Sequence, residues 1–251
     1  MDFRGKTVLV TGSSKGIGRQ IIYDFARLGA NVVINYSSDS DGAFRLEKEI
    51  MDKFDCKVLT VRCDVSNETD VKYMIDSVIS RFKSIDILVN NAGVCNDSMF
   101  DDKNYDDFNR VLSVNLIGTY LVSKYVCKYM VLNKFGKVIN ISSDNGICNG
   151  YPESAEYDAS KAGVISLTHN MAKFYAPYVS VNCVCPGWIN TSMNEGLDSK
   201  QISDINSKIL LNRFGDVKEI SNVVLFLASS AASYVNDSII SVNGGSLWKM
   251  I

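Results

Sequence analysis

Short β-branched runs alternate with longer stretches of helical period along almost the whole chain. Thr7–Val10 reads as a strand, and a helix from about Gly16 to Leu28 follows. Its inner face carries Ile17, Ile21, Ile22 and Phe25 at helical spacing. Gly29 ends it, as glycine just past a helix commonly does. Asn31–Asn35 is a second strand, Asp41 to about Lys53 a second helix, and Val58–Val61 a third strand. The next helix has Val71, Met74, Ile75, Val78 and Ile79 on one side. Ile85–Val89 is a fourth strand, and a long helical stretch from about Tyr105 to Leu132 carries a break near Ser113-Val114-Asn115. Val138–Ile141 is a fifth strand, Tyr157 to about Tyr175 a helix, and Val179–Val184 a sixth strand. Asp216-Val217-Lys218-Glu219 opens a further helix with capping-box spacing, and Ile239–Val242 closes the series. Nearly continuous apolar strands joined by helices predict an α/β fold, a doubly wound parallel sheet covered on both faces. With no linker, repeat or low-complexity tract, residues 1–251 read as one domain. Such sheets bind ligands beyond the carboxyl ends of their strands, so chemistry is expected just after each one.

Composition narrows the function classes. Hydrophobic residues make up 46% and charged residues 22%, which excludes a disordered chain. With 26 basic and 28 acidic residues the net charge is −2, so nothing draws the chain as a whole to nucleic acid or anionic membrane. No apolar run reaches the roughly 18 residues of a membrane span, and the first residues lack the apolar stretch of a secretory leader. The seven cysteines include no C-x-x-C pair, so reduced, mostly buried thiols in a cytoplasmic protein are expected. His169 is the single histidine, which argues against a histidine zinc site and against a Ser-His-Asp triad.

Thr11-Gly12-Ser13-Ser14-Lys15-Gly16-Ile17-Gly18 lies between the first strand and the first helix. Glycines there permit a tight turn and close approach of backbone to a ligand. The helix start offers unpaired N–H groups and a positive dipole end, which suit a pyrophosphate. The spacing is G-x-x-x-G-x-G, not the commoner G-x-G-x-x-G. Gly12-Ser13-Ser14-Lys15-Gly16 also fits G-x-S-x-G, the nucleophile elbow of hydrolases. That reading needs His169 as its base, from within a helix, and an elbow on the first strand, so dinucleotide binding is the better account. For His169 a place on a helix surface or core edge is expected.

Tyr157 and Lys161 stand four apart on a predicted helix, which puts both side chains on one face. An ammonium beside a phenol favours the phenolate, and a phenol so tuned can donate or accept a proton near neutral pH. Alone, Tyr-x-x-x-Lys describes many solvated helix faces. Here it follows Ile141-Ser142-Ser143 at a strand end, where a hydroxyl could hold a substrate carbonyl.

These pieces resemble the short-chain dehydrogenase/reductase family over essentially the whole chain. The matching residues are Thr11-Gly12-x-x-x-Gly16-Ile17-Gly18, Cys63-Asp64-Val65, Asn90-Asn91-Ala92-Gly93, Asn115, Ser143, Tyr157-x-x-x-Lys161 and Pro186-Gly187. The resemblance implies a Rossmann fold and assigns roles. Tyr157 would be the general acid in reduction and the base in oxidation. Lys161 would lower its pKa and bind the nicotinamide ribose. Ser143, rather than the neighbouring Ser142, would polarise the carbonyl, and Asn115 would interrupt its helix and hold a water in a proton relay. Cofactor contacts would come from Gly12, Ser14, Lys15, Gly16, Ile17 and Gly18, and from Asn35, Tyr36 and Ser37 at the second strand end. Asp64 and Val65 would contact adenine, Asn91, Ala92 and Gly93 would line the cofactor, and Pro186, Gly187, Ile189 and Thr191 would frame the nicotinamide.

Sites for NAD commonly end the second strand with an acid that grips the ribose 2′-OH. Here that end reads Ile34-Asn35-Tyr36-Ser37-Ser38, with Asp39 and Asp41 later, and Lys15 offers positive charge. NADP(H) is therefore expected ahead of NAD(H). The branch most resembled is the 3-oxoacyl-(acyl carrier protein) reductases, through Leu211–Gly215, Val223–Ser229 and Val242–Gly245. It implies reduction of 3-oxoacyl thioesters in fatty-acid synthesis, by a cytoplasmic homotetramer built on the helices near Tyr105–Leu132 and Tyr157–Tyr175. There are departures. Val94-Cys95-Asn96-Asp97 stands where that branch reads I-T-R-D. Lys134 keeps one basic position for docking an acidic carrier, but Tyr178 takes another. An NADP-dependent reductase of another ketone, sugar or steroid is the alternative. A dinucleotide-sensing protein without catalysis is argued against by the full set Asn115, Ser143, Tyr157 and Lys161. A substrate lid is expected over about 188–211, with Trp188, Met193 and Leu197 as apolar contacts. No metal is implied.

Overall fold

The computed structural model describes residues 1–148, 151–194 and 196–246; the side chains of Cys148 and Met193 also lie outside the description. Seven parallel strands form one sheet in the order β3-β2-β1-β4-β5-β6-β7. In chain order β1 is Thr7–Val10, β2 Asn31–Tyr36, β3 Val58–Arg62, β4 Ile87–Asn90, β5 Gly136–Ile141, β6 Val179–Pro186 and β7 Ile239–Val242. The long helices are α1 (Gly16–Arg27), α2 (Ser40–Lys53), α3 (Glu68–Phe82), α5 (Gly118–Leu132), α7 (Ala155–Tyr175) and α9 (Val217–Ala228). Shorter ones are α4 (Tyr105–Leu112), α6 (Asn145–Cys148) and α8 (Ser199–Asn206).

Strand order reverses between β1 and β4, which pair directly through Val8↔Ile87 and Val10↔Val89. The helices that follow these strands, α1 and α5, pack in the two opposite cores, and the carboxyl edge at such a reversal is the usual ligand site of these sheets. Alternation along each strand fills two cores. Val8, Val10, Val32, Ile34, Ile87 and Val89 pack with α1, α2 and α9 on one face. Leu9, Val33, Leu88, Val138, Val179 and Val181 pack with α3 and α5 on the other.

Polar caps fix the helix starts. Asn67 accepts from the Thr69 and Asp70 N–H groups at α3, and the Asp216/Glu219 capping box opens α9 as its spacing predicts. Two expectations shift. The fourth strand begins at Ile87 rather than Ile85 and runs to Asn90; Ile85 is buried all the same. The stretch from Tyr105 to Leu132 is not interrupted. Residues Ser113–Ile117 form a π-helical turn between α4 and α5, which absorbs one extra residue without ending the helix. Among the described residues no helix is long and apolar enough to cross a membrane.

Candidate active site

The glycine loop closes directly on the segment after β4. A Cβ on Gly12 would lie 2.9 Å from the Ala92 Cα, and one on Gly18 2.5 Å from the Asn91 Nδ2. Asn91 uses that nitrogen to donate to the Thr11 and Gly12 carbonyls at 2.9 and 3.0 Å. The Thr11 hydroxyl accepts from the Asn91 and Ala92 N–H groups. Gly16 is different. Its φ is +57°, and the nearest atom to its missing side chain is the Thr191 Cγ2 at 3.8 Å. A left-handed glycine at the start of α1, whose missing side chain would meet only Thr191 at ordinary contact distance, lets the backbone N–H groups form a cradle for an anion. The residues present therefore fit the pyrophosphate of a dinucleotide. Ile17 turns inward against the core, and Ser14 is buried in the loop.

At the ends of β2 and β3, side chains divide between support and edge. Asn35 is buried; its Oδ1 accepts from the Gly12 N–H at 3.0 Å and its Nδ2 donates to the Cys63 carbonyl at 3.2 Å. It holds the glycine loop from beneath. Tyr36 is half-buried and Ser37 exposed. Asp39 caps α2 by accepting from the Gly42 N–H at 3.0 Å, so its carboxylate is committed to the helix. Sequence reasoning missed Arg62. Register pairs it with Tyr36, and its Nε donates to the Ser37 carbonyl at 3.2 Å. Arg62 and Lys15 are both exposed, and neither has an ion-pair partner among the described residues. Only strand pairing puts Arg62 at the β2 end; its position before Cys63-Asp64-Val65 was the sole signal. Asp64 is half-buried and accepts from the Ser66 N–H and hydroxyl. Val65 is buried and packs on Gly118 of α5.

The Tyr157–Lys161 pair starts α7 directly behind the end of β5. The two serines after Ile141 point differently. Ser142 is buried and its hydroxyl donates to the Lys161 carbonyl at 2.8 Å. Ser143 is half-buried, accepts from the Asn145 N–H at 3.2 Å, and its hydroxyl lies close enough to the Tyr157 phenol to lower the pKa of that group. Lys161 is buried; its Nζ lies 5.4 Å from the centre of the Tyr157 ring and donates to the Ile141 carbonyl at 2.9 Å. The expected lowering of the phenol pKa by this ammonium is not what the protein alone displays. Burial raises the Tyr157 pKa well above its ordinary value, with the neighbouring Ser143 hydroxyl acting against it. Burial also pulls Lys161 down from 10.5 to about 8. For both groups desolvation is the largest influence and outweighs their effect on one another.

Asn115 sits in the π-helical turn and is buried. Its Oδ1 accepts from the Val94 N–H at 2.8 Å; its Nδ2 donates to the Val94 carbonyl at 3.0 Å and to Ser160 Oγ at 2.9 Å. The main-chain carbonyl of Asn115 accepts the Thr119 hydroxyl at 2.8 Å. The side chain thus joins the segment after β4 to α7. Gly93 completes this wall: a Cβ there would lie 3.4 Å from the Asn115 Oδ1 and 3.5 Å from the Lys161 Nζ. Pro186 is buried at the end of β6 and Gly187 follows, half-buried. Ile189 is buried in the core and bridges to Gly215, while Thr191 is half-buried opposite Gly16.

One acid in this wall carried no sequence signal beyond its place after Ser143. Asp144 is 3% exposed. Among the described residues neither carboxyl oxygen has a hydrogen-bond partner of good geometry. Burial lifts its pKa from 3.8 to about 6, opposed by the Asn243 amide.

The expected lid over 188–211 contains structure that composition did not reveal. Trp188 stacks near Phe214 at 5.8 Å, and α8 is opened by an Asp198/Gln201 capping box, a signal that could have found it. Leu197 is half-buried, and the Met193 side chain lies outside the description. Lys134 and Tyr178 are exposed just before β5 and β6, at the amino edge of the sheet. That is the edge opposite this chain's own Tyr157. His169 pairs with Asp237, Nδ1 to Oδ1 at 2.6 Å, just before β7 and likewise far from Ser14. The hydrolase constellation is therefore not assembled.

Comparison with known proteins follows the same outline. Residues 12–246 match the family model described as enoyl-(acyl carrier protein) reductase. The chain is 39% identical over 243 residues to the 3-oxoacyl-(acyl-carrier-protein) reductase FabG of Aquifex aeolicus, covering 96% of this chain and 97% of that one. It is 37% identical over 248 residues to the same enzyme of Thermotoga maritima, covering 98% and 99%. Among solved structures, levodione reductase superposes with a TM-score of 0.92 at 32% identity, over 97% of this chain and 98% of that one. A gluconate 5-dehydrogenase from Burkholderia cenocepacia J2315, in complex with NADP and tartrate, gives 0.91 at 32% identity over 97% and 96%.

Proposed function

Because the chain belongs to the short-chain dehydrogenase/reductase family, we propose that it is an NADPH-dependent carbonyl reductase whose substrates are 3-oxoacyl thioesters, reduced to 3-hydroxyacyl thioesters in fatty-acid synthesis. The observation that carries the chemistry is the Ser143 hydroxyl beside the Tyr157 phenol, with the Lys161 ammonium 5.4 Å from the centre of that ring. Two hydroxyl donors converging on one point suit the oxygen of a ketone and the negative charge that develops there. The curated relatives support the substrate, since they are 3-oxoacyl-(acyl-carrier-protein) reductases at 37–39% identity over nearly full length.

A bound nicotinamide supplies hydride to the carbonyl carbon; the protein's part is to bind, orient and move a proton. Ser143 Oγ donates to the carbonyl oxygen and polarises it. Tyr157 donates to the same oxygen and gives up its phenolic proton as the alkoxide forms; in oxidation the phenolate takes that proton back. Lys161, charged near neutral pH, stabilises the transient phenolate and would bind the nicotinamide ribose. Asn115 keeps Val94 and Gly93 against this pair and, in the π-helical turn, offers its carbonyl to a relay water. Gly12, Ser14, Gly16, Ile17 and Gly18 would hold the pyrophosphate by backbone. Asp64 and Val65 would flank adenine; Asn91, Ala92 and Gly93 would line the cofactor from the β4 side; Pro186, Gly187, Ile189 and Thr191 would frame the nicotinamide. Asn35 contributes by fixing the loop. Lys15 and Arg62 would take the 2′-phosphate near Tyr36 and Ser37, while the start of α2 partly offsets the negative charge of the capping Asp39.

Segment 188–211 would be the substrate lid. The exposed Tyr105, Ile117, Tyr120 and Phe174 on α4, α5, the turn between them and α7 support a homotetramer. The free thiols among the described cysteines suit a cytoplasmic protein. A second reading, reduction of another ketone or sugar, is favoured by the missing arginine after Gly93 and by Tyr178 at a docking position.

NADPH oxidation with a β-ketoacyl thioester, beside a panel of small ketones, sugars and steroids, tests the assignment. Turnover of the thioester is expected. Inactivity toward thioesters with turnover of another carbonyl overturns the substrate, and full turnover by Tyr157→Phe overturns the mechanism.

A further inference from the structure

Beside Tyr157 lies a buried ion pair that the mechanism does not use. Lys103 Nζ is 2.7 Å from Glu156 Oε2, with 4% and 0% of the two side chains exposed. Charges this deeply buried are costly unless paired. Among the described residues neither Glu156 oxygen has a hydrogen-bond donor of good geometry, and the one cation paired with the carboxylate there is the Lys103 ammonium. The same ammonium donates to the Asn96 carbonyl at 2.9 Å and Ser98 Oγ at 3.3 Å. The Ser98 N–H donates to the Glu153 carbonyl at 3.1 Å. The segment between β4 and α4 is therefore fastened to the start of α7.

A second fastening lies on the other side of Tyr157. Asn115 holds Val94 and donates to Ser160, whose hydroxyl donates to the Tyr157 carbonyl at 2.7 Å. Tyr157 thus stands between two anchors, Glu156 and Ser160, that reach into one segment. That segment begins at Gly93, which borders the Lys161 Nζ. A buried ion pair is a poor source of stability, because an apolar pair of similar volume does as well. What it supplies is a directional link of fixed length.

We propose that Lys103 and Glu156 are positioning residues, a lock that fixes the first turn of α7, and with it the Tyr157 phenol, against the segment that lines the nicotinamide site. The inference rests on the reductase reading above.

The test is the neutral, near-isosteric double variant Lys103→Met/Glu156→Gln, which leaves no lone buried charge. The parent and variant are compared for kcat of carbonyl reduction and for NADPH Kd by nucleotide fluorescence. A fall in kcat of fivefold or more with Kd within twofold is expected. A smaller fall in kcat, or equal losses in kcat and nucleotide affinity, overturns the lock and leaves the pair a support of the fold. If the double variant does not fold, Lys103→Arg, which keeps the charge and alters its reach, is scored by the same two numbers. A parent without NADPH-dependent carbonyl reduction would sink the reductase reading itself, which is a separate outcome.

Discussion

The Lys161 Nζ donates to the main-chain carbonyl of Ile141 at 2.9 Å, tying the last residue of β5 to the helix that carries Tyr157. Ser142 and Ser143 leave the strand from that point, so one ammonium fixes the approach of both the serine and the phenol. Its burial is also what moves its proton affinity to about 8.

The rate of carbonyl reduction should decline as pH rises through about 8. Lys161 then loses its charge, whereas the Tyr157 phenol, held above its ordinary value, stays protonated. Lys161→Arg keeps a charge at every working pH and should abolish that limb even if it lowers the rate. Lys161→Met should cost roughly 10²-fold or more in kcat. Initial rates between pH 6 and 10 check this, and an unchanged limb in the arginine variant assigns it elsewhere.

Cofactor choice should reside in two cations. Arg62→Ala and Lys15→Ala should each weaken NADPH binding by about tenfold, the worth of a charge-assisted hydrogen bond, and leave NADH binding within twofold. Asp39→Ala should instead destabilise α2 by about 1 kcal/mol, as loss of a helix cap does, without improving NADPH affinity. Titration of protein fluorescence with both nucleotides, beside thermal unfolding, separates the two effects.

Asp144 should make the fold less stable as pH rises from about 4 to about 6. Its folded pKa lies above the unfolded 3.8, so the folded state holds the extra proton in that window and the advantage is lost once the carboxyl ionises. The displacement to about 6 corresponds to roughly 3 kcal/mol. Asp144→Asn should therefore raise the unfolding midpoint at pH 7.5, and the gain should vanish below pH 4. A gain of the same size at both pH values would contradict the assignment.

Gly18→Ala should damage nucleotide binding more than folding. The added methyl would meet Asn91 Nδ2 at 2.5 Å and the Gly12 carbonyl at 2.6 Å, forcing apart the loops after β1 and β4. A loss of tenfold or more in nucleotide affinity is expected. Calorimetric titration beside the melting curve would read both quantities.

Much of the site was legible because its residues are fixed by local rules. Gly12, Gly16 and Gly18 answer to backbone geometry at one strand–helix turn, and Tyr157 and Lys161 to helical spacing. Arg62 was not legible, because its neighbour Ser37 follows the end of another strand and only register brings them together. The lid helix α8 carried its signal in Asp198-x-x-Gln201, but the helix is short and buries little apolar surface, so no apolar period announced it. Asn35 reads as an edge residue in a strand-end motif, yet hydrogen bonds to Gly12 and Cys63 draw it beneath the loop.

Period and composition alone determined the alternation of strands and helices, the parallel sheet and the edge at which chemistry gathers, since each follows from where apolar side chains recur. The tertiary structure decided the electrostatics. Burial, which no local pattern encodes, raised the Tyr157 and Asp144 pKa values and lowered that of Lys161. It also paired Lys103 with Glu156 across 53 residues of sequence. The free energy of a charge depends on the atoms packed around it, and those come from segments remote in the chain.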